Sequence, residues 1–163
     1  MNYPFFKNFI FSLSILFFFS CNSSNSNEPK VVTNTSVLET KVIFDVPSLV
    51  GKDIDEIRKK LGTPIDKEID PSTIQKKMKV DFWDNTFNKN SQSLQVTFNP
   101  LNRKVTDFFI GTKDPSGLTS DYSDLLSVGN LKKESSNYIV VPVNTIKDKT
   151  KFTGIKIIVK NVN

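Results

Sequence analysis

The chain has 163 residues, with 22 lysines and arginines against 17 aspartates and glutamates, one cysteine and no histidine, for a net charge of +5. Without histidine the commonest general base and metal ligand are missing, and a lone cysteine cannot close an intramolecular disulfide. Only Arg58 and Arg103 are arginines, so the positive charge is lysine charge, without the planar fork that nucleic-acid sites favour.

In chain order, residues 1–20 read as a signal peptide. Lys7 supplies the positive region, and residues 8–19 form a Phe-rich apolar core too short to span a bilayer as a helix. Small Ser20 precedes Cys21, and a polar run from Asn22 to Asn27 follows at once. The box Phe18-Phe19-Ser20-Cys21 resembles the cleavage site of bacterial lipoproteins, with Phe18 and Phe19 where the commonest form has Leu and a small residue. The resemblance implies cleavage before Cys21 and attachment there of a thioether-linked diacylglycerol and an N-acyl chain of the palmitate type. Each buried methylene then contributes about 0.8 kcal/mol, and two or three chains make a lasting anchor. No aspartate follows Cys21 directly, so retention at the inner membrane is not signalled, and Glu28 stands alone where a surface-export signal has an acidic cluster. The resemblance then points to the periplasmic face of a Gram-negative outer membrane. Acylation consumes the only thiol.

Residues 21–40 are Ser/Asn-rich and aperiodic, so they read as the lipidated N-terminus and a disordered tether. About 18 such residues reach roughly 20–25 Å. The first structured unit is expected over residues 41–112. Val42, Ile43 and Phe44 suggest a short strand ended by Pro47. Asp53 and Glu56 have capping-box spacing, with Ile54, Ile57 and Leu61 on one face, so a helix is expected over residues 53–61. Asp55/Lys59 and Glu56/Lys60 have the spacing of i,i+4 pairs, and Gly62 and Pro64 stop the helix.

Three strands are expected next. Met78, Val80 and Phe82 alternate with polar residues; Leu94, Val96 and Phe98 do the same; residues 104–110 are less regular, because adjacent Phe108 and Phe109 imply a bulge or two covered faces. Residues 84–93 and 99–103 read as polar turns. The second unit, residues 113–163, repeats the order in shorter form, as a degenerate tandem repeat would. Ser120 caps a helix through Val128 with Tyr122, Leu125 and Leu126 inward, and Gly129 ends it. Ile139, Val141 and Val143 share one strand face, and Ile155, Ile157 and Val159 another. The expected class is α+β: helix followed by antiparallel meander, in two units after a signal peptide and tether.

The stretch from Leu49 to Pro64, with Gly51-Lys52 before the helix and Leu61-Gly62-Thr63-Pro64 after it, is similar to the SmpA/OmlA-like domain, together with Phe82-Trp83 and Leu94-Gln95-Val96-Thr97-Phe98. That family includes the small lipoprotein of the outer-membrane β-barrel assembly machinery and shares its α/β layout with β-lactamase inhibitor proteins. The similarity covers about residues 45–110. It implies an α/β unit and a place in outer-membrane assembly or integrity. A rival likeness, to the PASTA module, rests on residues 46–52 and implies cell-wall recognition.

No reactive constellation accompanies these elements. Asp66, Glu68 and Asp70 alternate, but Lys67 intervenes and no glycine-bearing metal loop follows, so a solvated edge is expected and no metal. The serines lack a Gly-x-Ser-x-Gly elbow, and no phosphate-cradling glycine loop occurs. The expectation is a non-enzymatic binding or scaffolding module without cofactor, with a protein partner in the envelope and no nucleic acid. The alternative is a lipoprotein that binds a cell-wall ligand. The candidate binding surface is Trp83 with Asp81 and Asp84. If Phe82 points inward, alternation turns Trp83 outward, where its ring is available to a partner.

Overall fold

A computed structural model describes residues 41–160; the expectations for Cys21, the signal and the tether lie outside these residues. The order is a 3₁₀ turn Val46–Ser48, helix α1 Ile54–Leu61, helix α2 Thr73–Lys77, strands β1 Trp83–Lys89, β2 Gln92–Phe98 and β3 Val105–Gly111, helix α3 Ser123–Val128, and strands β4 Tyr138–Asn144 and β5 Phe152–Val159. The strands form one antiparallel sheet in the order β1-β2-β3-β5-β4. This is the expected α+β class, and strands from both halves of the chain share the sheet.

α1 forms as its sequence dictates. Asp53 accepts from the Glu56 amide at 2.8 Å while Glu56 accepts from the Asp53 amide, closing the capping box. Gly62 ends the helix at φ +92°, where L side chains are strained. Ile54 and Ile57 are fully buried. The surface pairs differ from expectation: Glu56 meets Lys52, Asp55 meets Arg58 and Arg103, and Lys60 reaches Ser48.

The inner face of the sheet is continuous across strands. Phe87 opposes Leu94, Leu94 opposes Ile110, and Ile110 opposes Ile155; Val96, Phe108 and Ile157 form the neighbouring row. Ile54 and Ile57 from α1, Leu125 and Val128 from α3, and Val46 and Leu49 from the 3₁₀ turn complete the same core. Residues 42–44 form no strand. They run as coil beside α3, with the Ile43 and Phe44 amides both donating to the Val128 carbonyl.

Three further expectations are corrected. Residues 78–82 are not a strand: α2 occupies Thr73–Lys77, Met78 is its C-cap, and Phe82 is 60% exposed. Residues 84–93 are not a turn but most of a hairpin, closed by Asn90 and Ser91 at φ +50° and +58°. α3 is not capped by Ser120: its N-cap is Tyr122, without a side-chain cap, and the Asp121 carboxylate before it accepts from the amide and hydroxyl of Ser123, the first helical residue. Ile139, Val141 and Val143 do share one face of β4; it is the outer one, opposite Ile158, Lys156 and Gly154, while Tyr138, Val140 and Pro142 point inward.

The bulge falls earlier than the Phe pair: Thr97 opposes Asp107 and Phe98 opposes Val105, leaving Thr106 as the extra residue. Phe108 is buried. Phe109 lies on the outer face against Gly154, where a Cβ would come within 2.6 Å of its ring.

Candidate functional site

The three residues singled out as a binding surface do not converge. β1 starts at Trp83, and its pairing with fully buried Phe98 puts the indole on the inner face. There Trp83 packs against the core, half-buried, with Nε1 donating to the Glu68 carbonyl at 3.1 Å. Asp84 is on the outer face, accepting from the Thr97 hydroxyl at 2.7 Å, and Asp81 is exposed before the strand. The expected inside and outside positions of Phe82 and Trp83 are therefore reversed. The reason is that residues 78–82 do not belong to the strand, so their alternation does not continue into it.

The acidic run is taken up by structure. Asp66 accepts from the Thr86 amide and hydroxyl, the Glu68 carbonyl accepts from Trp83, and Asp70 accepts from both arginines. Among the described residues no group of three or more metal-ligating side chains forms.

The two arginines build the densest polar cluster. Arg58, on α1, reaches down to the sheet: its Nε and Nη2 donate to Asn85 Oδ1 at 2.9 and 2.7 Å, its Nη2 to the Ile69 carbonyl, and its Nη1 to Asp70 at 3.1 Å. Asn85 is fully buried on the inner face of β1 and spends its Nδ2 on the Ile69 and Asp84 carbonyls. Arg103, in the β2–β3 turn, bridges Asp55 and Asp70. Both guanidinium groups stand over the Phe98 ring, at 5.7 and 5.3 Å from its centroid.

Hydrogen bonding by Arg103 holds the Asp55 carboxyl below its ordinary range. Burial opposes ionisation of Asp70, and hydrogen bonds from Arg58 and Arg103 outweigh it, so its carboxyl is also shifted down. Hydrogen bonding to Asp55 in turn raises Arg103. Two cations and two anions with their forks filled make a fastening for the loop at residues 65–71, not a reactive centre. The cluster is not legible in the sequence: Arg58 and Arg103 are 45 positions apart in the chain, and only the fold brings them together on Asp70.

Among the described residues, the sheet leaves two surfaces open. On the outer face, β1 and β2 carry Asp84, Thr86, Asn88, Gln95 and Thr97, whereas β3, β5 and β4 carry Phe109, Ile158, Ile139 and Val141. Ile139 is 47% and Ile158 38% exposed, and Lys156 pairs with Asp107 among them. The second is a cavity of about 480 Å³ between the start of β2 and α3, with Gln92, Thr112, Thr119 and Asp124 in its wall over Ile43 and Leu125. Gln92 is 3% exposed, its Nε2 donates to the Gly111 carbonyl, and its Oε1 has no partner among the described residues. Because that carbonyl only accepts, the amide orientation is fixed with Nε2 toward it.

Comparison with family profiles, characterised proteins and solved structures finds no match. Among the described residues no helix is long and apolar enough to cross a membrane.

Proposed function

We propose that this chain is a lipid-anchored envelope protein acting as a non-enzymatic binding or scaffolding module. Its anchor is the acylated Cys21, at the periplasmic face of the outer membrane, and its role lies in outer-membrane assembly or integrity, as the SmpA/OmlA-like stretch at residues 49–64 implies. The observation that carries the binding role is the uncovered apolar half of the sheet. Ile139, Val141, Ile158 and Phe109 adjoin on a face that none of the described helices packs against. Clustered apolar side chains exposed beside a charged pair mark a protein-contact surface. The polar half formed by β1 and β2 borders it.

The experiment is photo-crosslinking from positions 139 and 158 in intact cells, compared with position 86 on the polar half. The reading expects discrete adducts from 139 and 158 that depend on an intact Cys21, and none from 86. Equal or absent adducts from all three positions contradict it.

The alternative, recognition of a cell-wall ligand, draws support from the cavity beside Gln92. An acceptor without a donor, buried at a polar cavity wall, suits a ligand bearing hydroxyl or amide N–H groups. Trp83 no longer serves that reading, because it faces the core from the inner side of β1. Chemical-shift mapping with peptidoglycan fragments discriminates: shifts at Gln92 and Thr112 favour the ligand, and unchanged spectra favour the scaffold.

A further inference from the structure

The segment between the arginine cluster and β1 is built in a way that core packing does not explain. α2 is closed by its own capping box: the Ser72 amide donates to Gln75 Oε1 at 2.7 Å, and the Gln75 amide to the Ser72 hydroxyl at 3.3 Å. No residue of α2 is buried. Ile74 is 70% exposed, Met78 74% and Phe82 60%. Ile74 and Met78 are four apart across the helix and its C-cap, hence on one side of the turn. Interleaved with them are Lys76, Lys77 and Lys79, none within ion-pair distance of a carboxylate among the described residues. Asp81 is the single carboxylate in residues 72–82, so the segment carries a net +2.

We infer that residues 72–82 form a membrane-contact element that docks the domain on an anionic bilayer surface, with Ile74, Met78 and Phe82 entering the interface and Lys76, Lys77 and Lys79 meeting lipid headgroups. The charge pattern selects this occupant. Large apolar side chains interleaved with lysines that lack a carboxylate partner match a surface that offers hydrocarbon beside anionic headgroups, and a bilayer interface offers both at once. The inference rests on the proposed anchor only for proximity: acylation at Cys21 would keep a bilayer within range of a weakly binding patch. The aliphatic stems of the lysines add apolar contact while their heads stay wet.

The chain carries its own reporter, because Trp83 is the only tryptophan and directly follows Phe82. The test is fluorescence of the purified full chain, mixed with vesicles of phosphatidylcholine alone or with about a third phosphatidylglycerol, each with and without acyl-brominated lipid. Docking predicts bromine quenching of Trp83 in the anionic vesicles and little in the neutral ones. The triple variant Ile74→Ser, Met78→Ser, Phe82→Ser should lose it. Each lysine near an anionic surface is worth about fivefold in partitioning, so Lys76→Gln, Lys77→Gln and Lys79→Gln together should weaken docking on the order of 100-fold. Quenching that is absent, equal in neutral vesicles, or unchanged in the triple serine variant overturns the inference. Mass spectrometry of Cys21 separates the two readings: an unacylated cysteine with charge-dependent quenching sinks the anchor and keeps the patch, and acylated protein that floats with vesicles unquenched does the reverse.

Discussion

Residues 65–71 and residues 72–82 adjoin in sequence and are held in opposite ways. The first stretch makes no helix or strand, yet every few residues it is fastened to the sheet or to α1. The Ile65 amide donates to the Thr86 carbonyl, Asp66 binds Thr86, the Glu68 and Ile69 carbonyls accept from Trp83, Arg58 and Asn85, and Asp70 takes both arginines. The second stretch contains a capped helix and almost no tertiary attachment, with its large apolar side chains in solvent. Regular secondary structure and tertiary anchorage are separate properties. An irregular segment can be the rigid one when its polar groups are fully paired, and a helix can be the free one when its stability is local.

The largest expected effect comes from cutting the fastening. Arg58→Ala strands the buried Asn85 oxygen, leaves the Ile69 carbonyl with Asn85 alone and Asp70 with Arg103 alone, and removes one of the two cations over Phe98. An unsatisfied buried acceptor costs about 1–3 kcal/mol and a lost charge-assisted hydrogen bond about 1.5–3 kcal/mol, together read as a lower urea midpoint. A loss within about 0.5 kcal/mol, the range of neutral surface changes, would show that the cluster is decorative.

Next is the pair at the boundary. Trp83→Ala removes a half-buried indole from the core edge and should cost about 2–4 kcal/mol, toward the lower end of aromatic truncations. Phe82→Ala should stay within about 0.5 kcal/mol. The opposite ranking in urea melts would move the start of β1 back to residue 82 or earlier.

That boundary also shows what was legible in the sequence. Helix α1 could be read because its signals are local: Asp53 and Glu56 at the cap, Ile54 and Ile57 on one face, Gly62 and Pro64 at the end. The strand from Leu94 to Phe98 could be read because a sheet with one buried face imposes period two. β1 could not, because its central inward residue is Asn85, an amide whose buried oxygen is satisfied by Arg58, 27 positions earlier. A polar residue satisfied from that distance looks like a turn in one dimension. Residues 78, 80 and 82 read as a strand for the complementary reason: Met78 and Phe82 are apolar at exposed positions, and with Val80 they mimic a half-buried strand when Lys77, Lys79 and Asp81 alternate with them. In β4 both faces are apolar, so alternation cannot choose between Val140 and Val141, and only pairing with β5 decides. The candidate site fared likewise, since Asp81, Trp83 and Asp84 were grouped by adjacency and the fold distributes them to a coil and two faces.

Acid should separate the two segments with a smaller effect. Asp55 and Asp70 have depressed folded-state values, so their contribution is complete above the ordinary carboxylate value of about 3.9 and is lost as pH falls through the depressed ones. Stability should therefore decline below about pH 4, and Asp70→Asn should flatten that decline. An unchanged acid limb in Asp70→Asn would remove Asp70 from the fastening. The smallest effect is expected in the free segment, where Ile74→Ser and Met78→Ser should each leave the melting midpoint within about 0.5 kcal/mol of the parent.

Backbone amide exchange of the full chain, with and without phosphatidylglycerol-containing vesicles, tests the contrast most directly. Residues 65–71 should be slow in both conditions wherever an amide is paired, as the Ile65 amide is, because their opening requires the arginine cluster to break. Residues 72–82 should exchange quickly in solution and gain protection on the vesicles, while the triple serine variant gains none. Equal protection of both segments in solution, or no change in residues 72–82 on the bilayer, would contradict the account.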